Sequence, residues 1–244
     1  MSQIVAASPH VTTKNSTAVI MRDVLIALLP AVIAGCVVFG LRALLVVAVT
    51  TAACVFFEWG FEKLCHTPST ISDLSAAVTG VLLAMNLPVS IPLWQAVFGA
   101  LVAIVAVKGL FGGIGKNFAN PAITARIVMF LAFSKSMTAW VFPDAVSSAT
   151  PLAMMANGES VDYLTLLLGN HGGCLGETSA LALLIGFAYL LIRGVISWHT
   201  PVCFVGTVFV MSLILGQDAV GQILSGGLML GAIFMATDYS TTPS

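Results

Sequence analysis

Charge is what this sequence has least of. Only 8% of its 244 residues are Asp, Glu, Lys or Arg, against 59% hydrophobic, where a soluble domain carries roughly 25% charged residues. With a mean hydropathy of +1.05, the chain belongs in a bilayer. The formal net charge is −1 and the basic residues are scattered, so there is no basic patch for nucleic acid. Ordered cysteine spacing is missing too. Cys36, Cys54, Cys65, Cys174 and Cys203 form no C-x-x-C, no zinc or iron–sulfur pattern and no disulfide framework. His10, His66, His171 and His199 stand far apart, and no metal site is indicated. A cleavable signal is also lacking. The first apolar run begins near Val24 behind a polar arm, residues 1–22, which reads as a membrane helix with a cytoplasmic leader.

What is present is a series of apolar runs, and a spanning helix needs about 20 such residues. The pattern predicts an all-α, polytopic membrane protein with about eight transmembrane helices, near 23–40, 43–61, 73–88, 93–111, 119–134, 177–193, 199–215 and 219–236. Placing the N-terminus inside puts Lys14, Arg22, Lys63, Lys108, Lys116 and Arg193 on the cytoplasmic side, leaving Arg42 and Lys135 outside, as basic residues prefer. Four regions follow: the arm 1–22, a first membrane repeat 23–134, an outer-face loop 135–176 and a second repeat 177–244. Each repeat has two long helices and then a small-residue helix, Ser72 to Gly80 in the first and Ser225 to Ala232 in the second. An odd number of helices in each complete repeat would invert one against the other. On this plan the second repeat lacks two helices, as a fragment or a truncated product would.

Several short motifs bear on chemistry. Thr150 precedes Pro151 in the run Asp144-Ala145-Val146-Ser147-Ser148-Ala149-Thr150-Pro151. A residue before proline is driven toward extended backbone, and proline suits the first helical position, so Thr150 reads as the N-cap of a short helix. Free amides there favour an anion. An ordinary cap in a hydroxyl-rich loop is the simpler local reading; a phosphate-bearing Thr150 is the other. Gly112-Gly113-Ile114-Gly115-Lys116-Asn117 fails as a phosphate loop, because Leu110 and Asn117 stand where glycine and Ser/Thr are needed. It reads instead as a turn into a half-helix at Asn120-Pro121-Ala122, a tripeptide aquaporins use twice and this chain has once. Arg126 lies inside an apolar segment, where an arginine costs roughly 2.5–3.5 kcal/mol on insertion scales. It is a candidate for function or for a structural ion pair, as are Asp73, Glu177 and Asp238 at helix ends.

Taken together, these stretches resemble the D subunit of the Rnf electron-transport complex and, more distantly, the B subunit of the sodium-translocating NADH:quinone reductase. The resemblance is carried by Ser8-Pro9-His10, Asp73 to Gly80, Gly112 to Ala122, Ser148 to Leu152, Leu168 to Glu177 and Phe234 to Asp238. It implies a ten-helix inverted-repeat core of which this chain is an incomplete version. It also implies FMN attached through its phosphate to the threonine of an Asp-Gly-x-Ser/Thr-Gly-Ala-Thr motif, which falls on Thr150. Ala145 and Ser148 stand where the motif has glycine, and both are small. On this reading Ser147 and Ser148 surround the phosphate and Arg126 contacts the cofactor, with room left for a second, non-covalent flavin. The implied partners are the other Rnf subunits and a flavin transferase. The implied location is the bacterial inner membrane, with the N-terminus cytoplasmic and the flavin loop outside. Such a subunit passes electrons and couples them to sodium or proton export, and is not catalytic alone. The alternative is a non-redox channel or transporter on the same scaffold.

Overall fold

The computed structural model describes residues 16–67, 69–140, 150–169 and 171–238. Helix α1 (Thr17–Phe39) starts six residues before the expected position 23, because Ser16 accepts a hydrogen bond from Val19 N and caps it there. A one-residue link, Gly40 at φ 73° and ψ −161°, turns the chain into α2 (Leu41–Cys65). That conformation is open to glycine and strained for other residues. At 23 and 25 residues, these two helices run about 35 Å or more, longer than the roughly 30 Å hydrocarbon core.

The later apolar helices are shorter. They are α3 (Ser75–Met85), α4 (Leu93–Leu101, continuing as a π-helix over Val102–Gly109), α5 (Pro121–Ala132), α9 (Ala180–Ile192) and α10 (His199–Ile214). Small helices complete the loop regions and the chain's last part. These are α6 (Ser134–Met137), α7 (Pro151–Ala156), α8 (Tyr163–Leu168) and α11 (Ala219–Leu224). After Ser225–Gly227 comes α12 (Leu228–Leu230), which runs on as a π-helix over Gly231–Met235. Among the described residues there is no strand, only an isolated antiparallel bridge between Pro88 and Cys174.

Two of the expected continuous helices are interrupted. In 73–88 the chain passes through a 3-10 turn, Ile71–Asp73, and then Leu74 at φ 65° before α3 begins. In 219–236 it stops at Leu224 and resumes after Gly226, at φ 66°. Backbone of this kind at membrane depth survives only where protein or a cavity satisfies it.

Arg42 clamps the loop after α3, donating from Nε to Val89 O (3.3 Å) and from Nη2 to Ile91 O (3.1 Å). Glu62, near the other end of α2, accepts from Thr70 N at 2.8 Å just before α3. Helices α2 and α3 are therefore antiparallel, and each polar site can be assigned to one end of the molecule. The core gathers Leu28, Leu83, Met85, Leu87, Met129, Leu183 and Leu230. Helix α9 approaches α1 so closely that a Cβ on Gly186 would lie 2.2 Å from Ala27 O. Lacking a side chain there lets two backbones pack, as small residues do between membrane helices. The outward faces are apolar, with Leu29, Ile33, Val37, Phe130, Leu131, Ile192 and Ile214 exposed. In water such a surface would be an aggregation hazard; against lipid it is ordinary.

Candidate functional site

Thr150 is where the proline argument puts it. It caps α7 from extended backbone (φ −62°, ψ 153°), with Pro151 in the first turn. Its Oγ1 accepts a long hydrogen bond, 3.4 Å from Ala153 N. Helix α7 has six residues, however, so its dipole offers less to an anion than a long helix would. Ser147 and Ser148 lie outside the described residues.

Arg126 sits midway along the apolar helix α5, and its guanidinium is fixed from two sides. Nη1 donates to Asn86 Oδ1 (2.8 Å), at the C-terminal end of α3. Nη2 donates to Glu177 Oε1 (3.3 Å) and to Cys174 Sγ (3.5 Å). Glu177 is itself locked, since its Oε2 accepts from Cys174 N at 3.2 Å. The strap bearing both residues is pinned to α3 by Leu175 N donating to Leu87 O (3.2 Å). Asn86 uses its amide nitrogen to donate to Leu82 O (2.7 Å) and to Met235 Sδ (3.9 Å) in the second π-segment. The expected candidates Arg126 and Glu177 thus form one ion pair. Asp73 and Asp238 are separate from it. Asp73 caps α3 through Ser75 N (2.8 Å) and Asp238 accepts from Asn120 Nδ2 (3.3 Å), both near the opposite end of the molecule.

The Arg126–Glu177 pair borders the break between α11 and α12. A Cβ on Gly227 would come within 3.3 Å of Arg126 Nη1 and 3.5 Å of Glu177 Oε1. Beside it, Ser225 Oγ is buried without a hydrogen-bond partner. His171 Nε2 is equally unpartnered, and burial pushes this imidazole below its ordinary pKa.

Reading for isolated intramembrane charges singles out Arg126 and misses a second pair. Lys108, counted on the cytoplasmic side near the end of the expected helix 93–111, is buried in the first π-segment. It donates to Glu58 Oε1 on α2 and to Ser75 Oγ on α3. The orientation count therefore loses Lys108 and rests on Lys14, Arg22, Lys63, Lys116 and Arg193. The other oxygens, Glu58 Oε2 and Glu62 Oε2, are buried and unpartnered. Both residues line a cavity of about 240 Å³ with Thr67, Thr70 and Lys108. The sequence carries a signal for one member of this pair: Glu58 interrupts an apolar run, as Arg126 does, while Lys108 lies near the end of one.

An apolar exterior, broken helices and ion pairs collected inside describe a helical membrane protein. The chain belongs to the NQR2, RnfD, RnfE family, whose model matches residues 4–244. It is similar to the D subunit of the Na(+)-translocating ferredoxin:NAD(+) oxidoreductase complex of Acetobacterium woodii, 47% identical over 98% of this chain and 78% of that protein. It is also similar to the D subunit of the proton-translocating ferredoxin:NAD(+) oxidoreductase complex of Clostridium ljungdahlii (36%; 98% and 79%). A third relative is the D subunit of the ion-translocating oxidoreductase complex of Halorhodospira halophila (34%; 100% and 81%).

Proposed function

We propose that this chain is the D subunit of an Rnf-type, ion-translocating ferredoxin:NAD oxidoreductase, and that it carries FMN as a phosphoester on Thr150. The observation that carries the first part is the near-full-length similarity to relatives bearing that name. Subunits of the same complex are then its partners in the inner membrane, with a flavin transferase needed for maturation. Two features support the second part. Thr150 is half-buried and its Oγ1 accepts a long hydrogen bond, which esterification gives up at little cost. Helix α7 packs on α11, next to the break at Ser225–Gly227, where the buried Ser225 hydroxyl lacks a partner, so a polar group brought in on Thr150 has an acceptor or donor to meet.

Bound there, FMN supplies electron chemistry that no side chain provides. The protein's part is placement. Pro151 fixes the backbone at the tether, Ser147 and Ser148 lie next to the phosphate in sequence, and Arg126 stands at the far side of the glycine step. In this proposal eight helical segments cross the membrane as an inverted repeat, an arrangement supported by the matching breaks at Leu74 and Gly226. The N-terminus is cytoplasmic and Thr150 faces outward. Whether sodium or protons are moved differs between the named relatives.

Denaturing electrophoresis after co-expression with the flavin transferase tests the attachment. The wild-type band is expected to fluoresce and the Thr150→Ala band to be dark. A dark wild-type band, or a fluorescent Thr150→Ala band, overturns it.

A further inference from the structure

We infer that the cavity between α2, the first π-segment and the Gly112–Gly113 turn binds a small monovalent metal cation on the carboxylates of Glu58 and Glu62. The site lies at the end of α2 remote from Arg42. No part of it involves Thr150, so it stands apart from the flavin reading.

Glu58 and Glu62 stand four residues apart on α2, so they share one face on adjacent turns. Both line the cavity of about 240 Å³, with Thr67, Thr70 and Lys108 on the same wall. Both are almost wholly buried, at 5% and 8% exposure. Each carboxylate has one oxygen engaged. Glu58 Oε1 accepts from Lys108 Nζ, and Glu62 Oε1 accepts from Thr70 N (2.8 Å) and from the Thr70 hydroxyl. The second oxygen, Oε2 in both, is buried without a hydrogen-bond partner. Terminal carboxylate torsions are soft, so both groups can turn toward an ion between them. Gly112 and Gly113, in left-handed backbone at φ 100° and 89°, complete the wall and bring no side chain to fill the space.

Charge balance says what belongs there. Two carboxylates and one ammonium leave a net negative charge, and the half-buried Asp73 adds to the negative field at Glu58. An uncompensated charge in a low-dielectric interior is costly. One monovalent cation closes the balance, whereas a divalent ion overshoots it. The available ligands are oxygens, which suit a hard cation. Among the described residues no group of three His, Cys, Asp or Glu side chains forms a metal cluster, so a transition metal has too few ligands. The Thr70 hydroxyl gives its hydrogen to Glu62 and keeps lone pairs for an ion. Glu177 makes the contrast: its Oε1 takes Arg126 and its Oε2 takes Cys174 N, so neither oxygen is left for a ligand.

Two other occupants answer the same chemistry less well. Water supplies hydrogen bonds to the free oxygens and no charge. A proton shared by the two carboxylates supplies charge and leaves the cavity unused, although it has room for an ion that keeps some of its water. Lys108, beside the site, repels a cation and holds the affinity down, so binding is reversible.

Equilibrium binding of radioactive sodium to the purified full chain tests this, with choline chloride keeping the ionic strength constant. Wild type is expected to bind sodium saturably. Glu62→Gln keeps the shape and the acceptor for Thr70 but loses the charge. It is expected to weaken binding by at least the roughly 10–100-fold that losing an outer-shell partner costs a metal site. Glu159→Gln, which changes an exposed carboxylate elsewhere, is expected to bind as wild type does. No saturable binding in wild type means that the cavity holds only water or a proton, and overturns the inference. So does an affinity that Glu62→Gln leaves unaltered. If Glu62→Gln fails to fold, Glu62→Asp decides: it draws the charge back by one methylene, and unchanged affinity there overturns the inference too. Flavin-free chain should bind sodium as loaded chain does, so a dark band in the attachment test leaves this result standing.

Discussion

Two of the ion pairs among the described residues, Glu58–Lys108 and Arg126–Glu177, use the same kinds of side chain and are held differently. Glu58 and Lys108 meet where α2, α3 and the first π-segment converge, with side chains only 5–6% exposed and Ser75 Oγ as a further acceptor. Arg126 and Glu177 meet at the opposite end of α3, against a broken helix, with 33% and 13% exposed. Widening the helix over Val102–Gly109 gives Lys108 its inward place, and π-segments do recur at functional sites. The second site has a π-segment too, but it brings only Met235 Sδ to Asn86. The difference lies in what the fold surrounds. One pair lies among α2, the π-segment and the start of α3 just past the Leu74 turn, and is almost wholly buried; the other borders the gap after Leu224, with a third of its arginine exposed.

The sharpest way to break this contrast is to remove one partner from the enclosed pair. Lys108→Met leaves Glu58 as an uncompensated carboxylate in a low-dielectric interior, which costs about 3–5 kcal/mol. Removing both charges together, as in Glu58→Gln with Lys108→Met, should recover most of that loss, because desolvating two ions costs nearly as much as their attraction returns. Thermal unfolding in detergent, followed by intrinsic fluorescence, would check it. A Lys108→Met protein as stable as wild type would show that the pair is reached by water after all.

The two sites also differ in how readable they are from sequence. The Thr150 cap follows from one proline, and the Asn120 half-helix from the tripeptide Asn120-Pro121-Ala122, because caps and proline constraints act over three or four residues. Asn120 does cap α5, accepting from Ala122 N and Ile123 N. Arg126 is legible as a candidate since any arginine in an apolar run stands out. Its partners are not. Glu177 is 51 positions away and Asn86 is 40 positions away, and only the folding of the Cys174 strap against α3 brings them together. Lys108 misleads for another reason. It lies near the end of an apolar run, where a loop charge and a buried charge look alike, and the shift to π geometry that turns it inward leaves no mark in local composition.

A milder loss is expected at the open pair. Arg126→Gln removes a charged donor from Glu177 and weakens the bond to Asn86. Hydrogen bonds to charged groups are worth about 1.5–3 kcal/mol, and the exposed third of the arginine side chain argues for the lower end, since screening weakens exposed pairs. Measured by the same thermal unfolding, the order should be Lys108→Met below Arg126→Gln below wild type. If Arg126→Gln proves the more damaging, Arg126 carries the fold and the contrast between an enclosed and a part-exposed charge is wrong.

The smallest effect belongs to a carboxylate with no ion pair and full exposure. Asp162 caps α8, accepting from Leu164 N, Thr165 N (both 3.3 Å) and Thr165 Oγ1 (2.8 Å). These bonds, the Thr165 hydroxyl foremost, hold its pKa below the ordinary aspartate value. Its contribution is thus present above the unfolded pKa and lost as pH falls through the lower folded one. Hydrogen exchange of the Leu164 and Thr165 amides should quicken, relative to the intrinsic rate, as the pH drops below the ordinary aspartate range. In Thr165→Val that onset should move to higher pH, because the main bond favouring the ionised form is gone. Since the site is wholly in water, global stability should not register either change, whereas both ion-pair variants should move it. A global shift from Thr165→Val would mean that exposure is a poor guide to how much a charge matters in this protein.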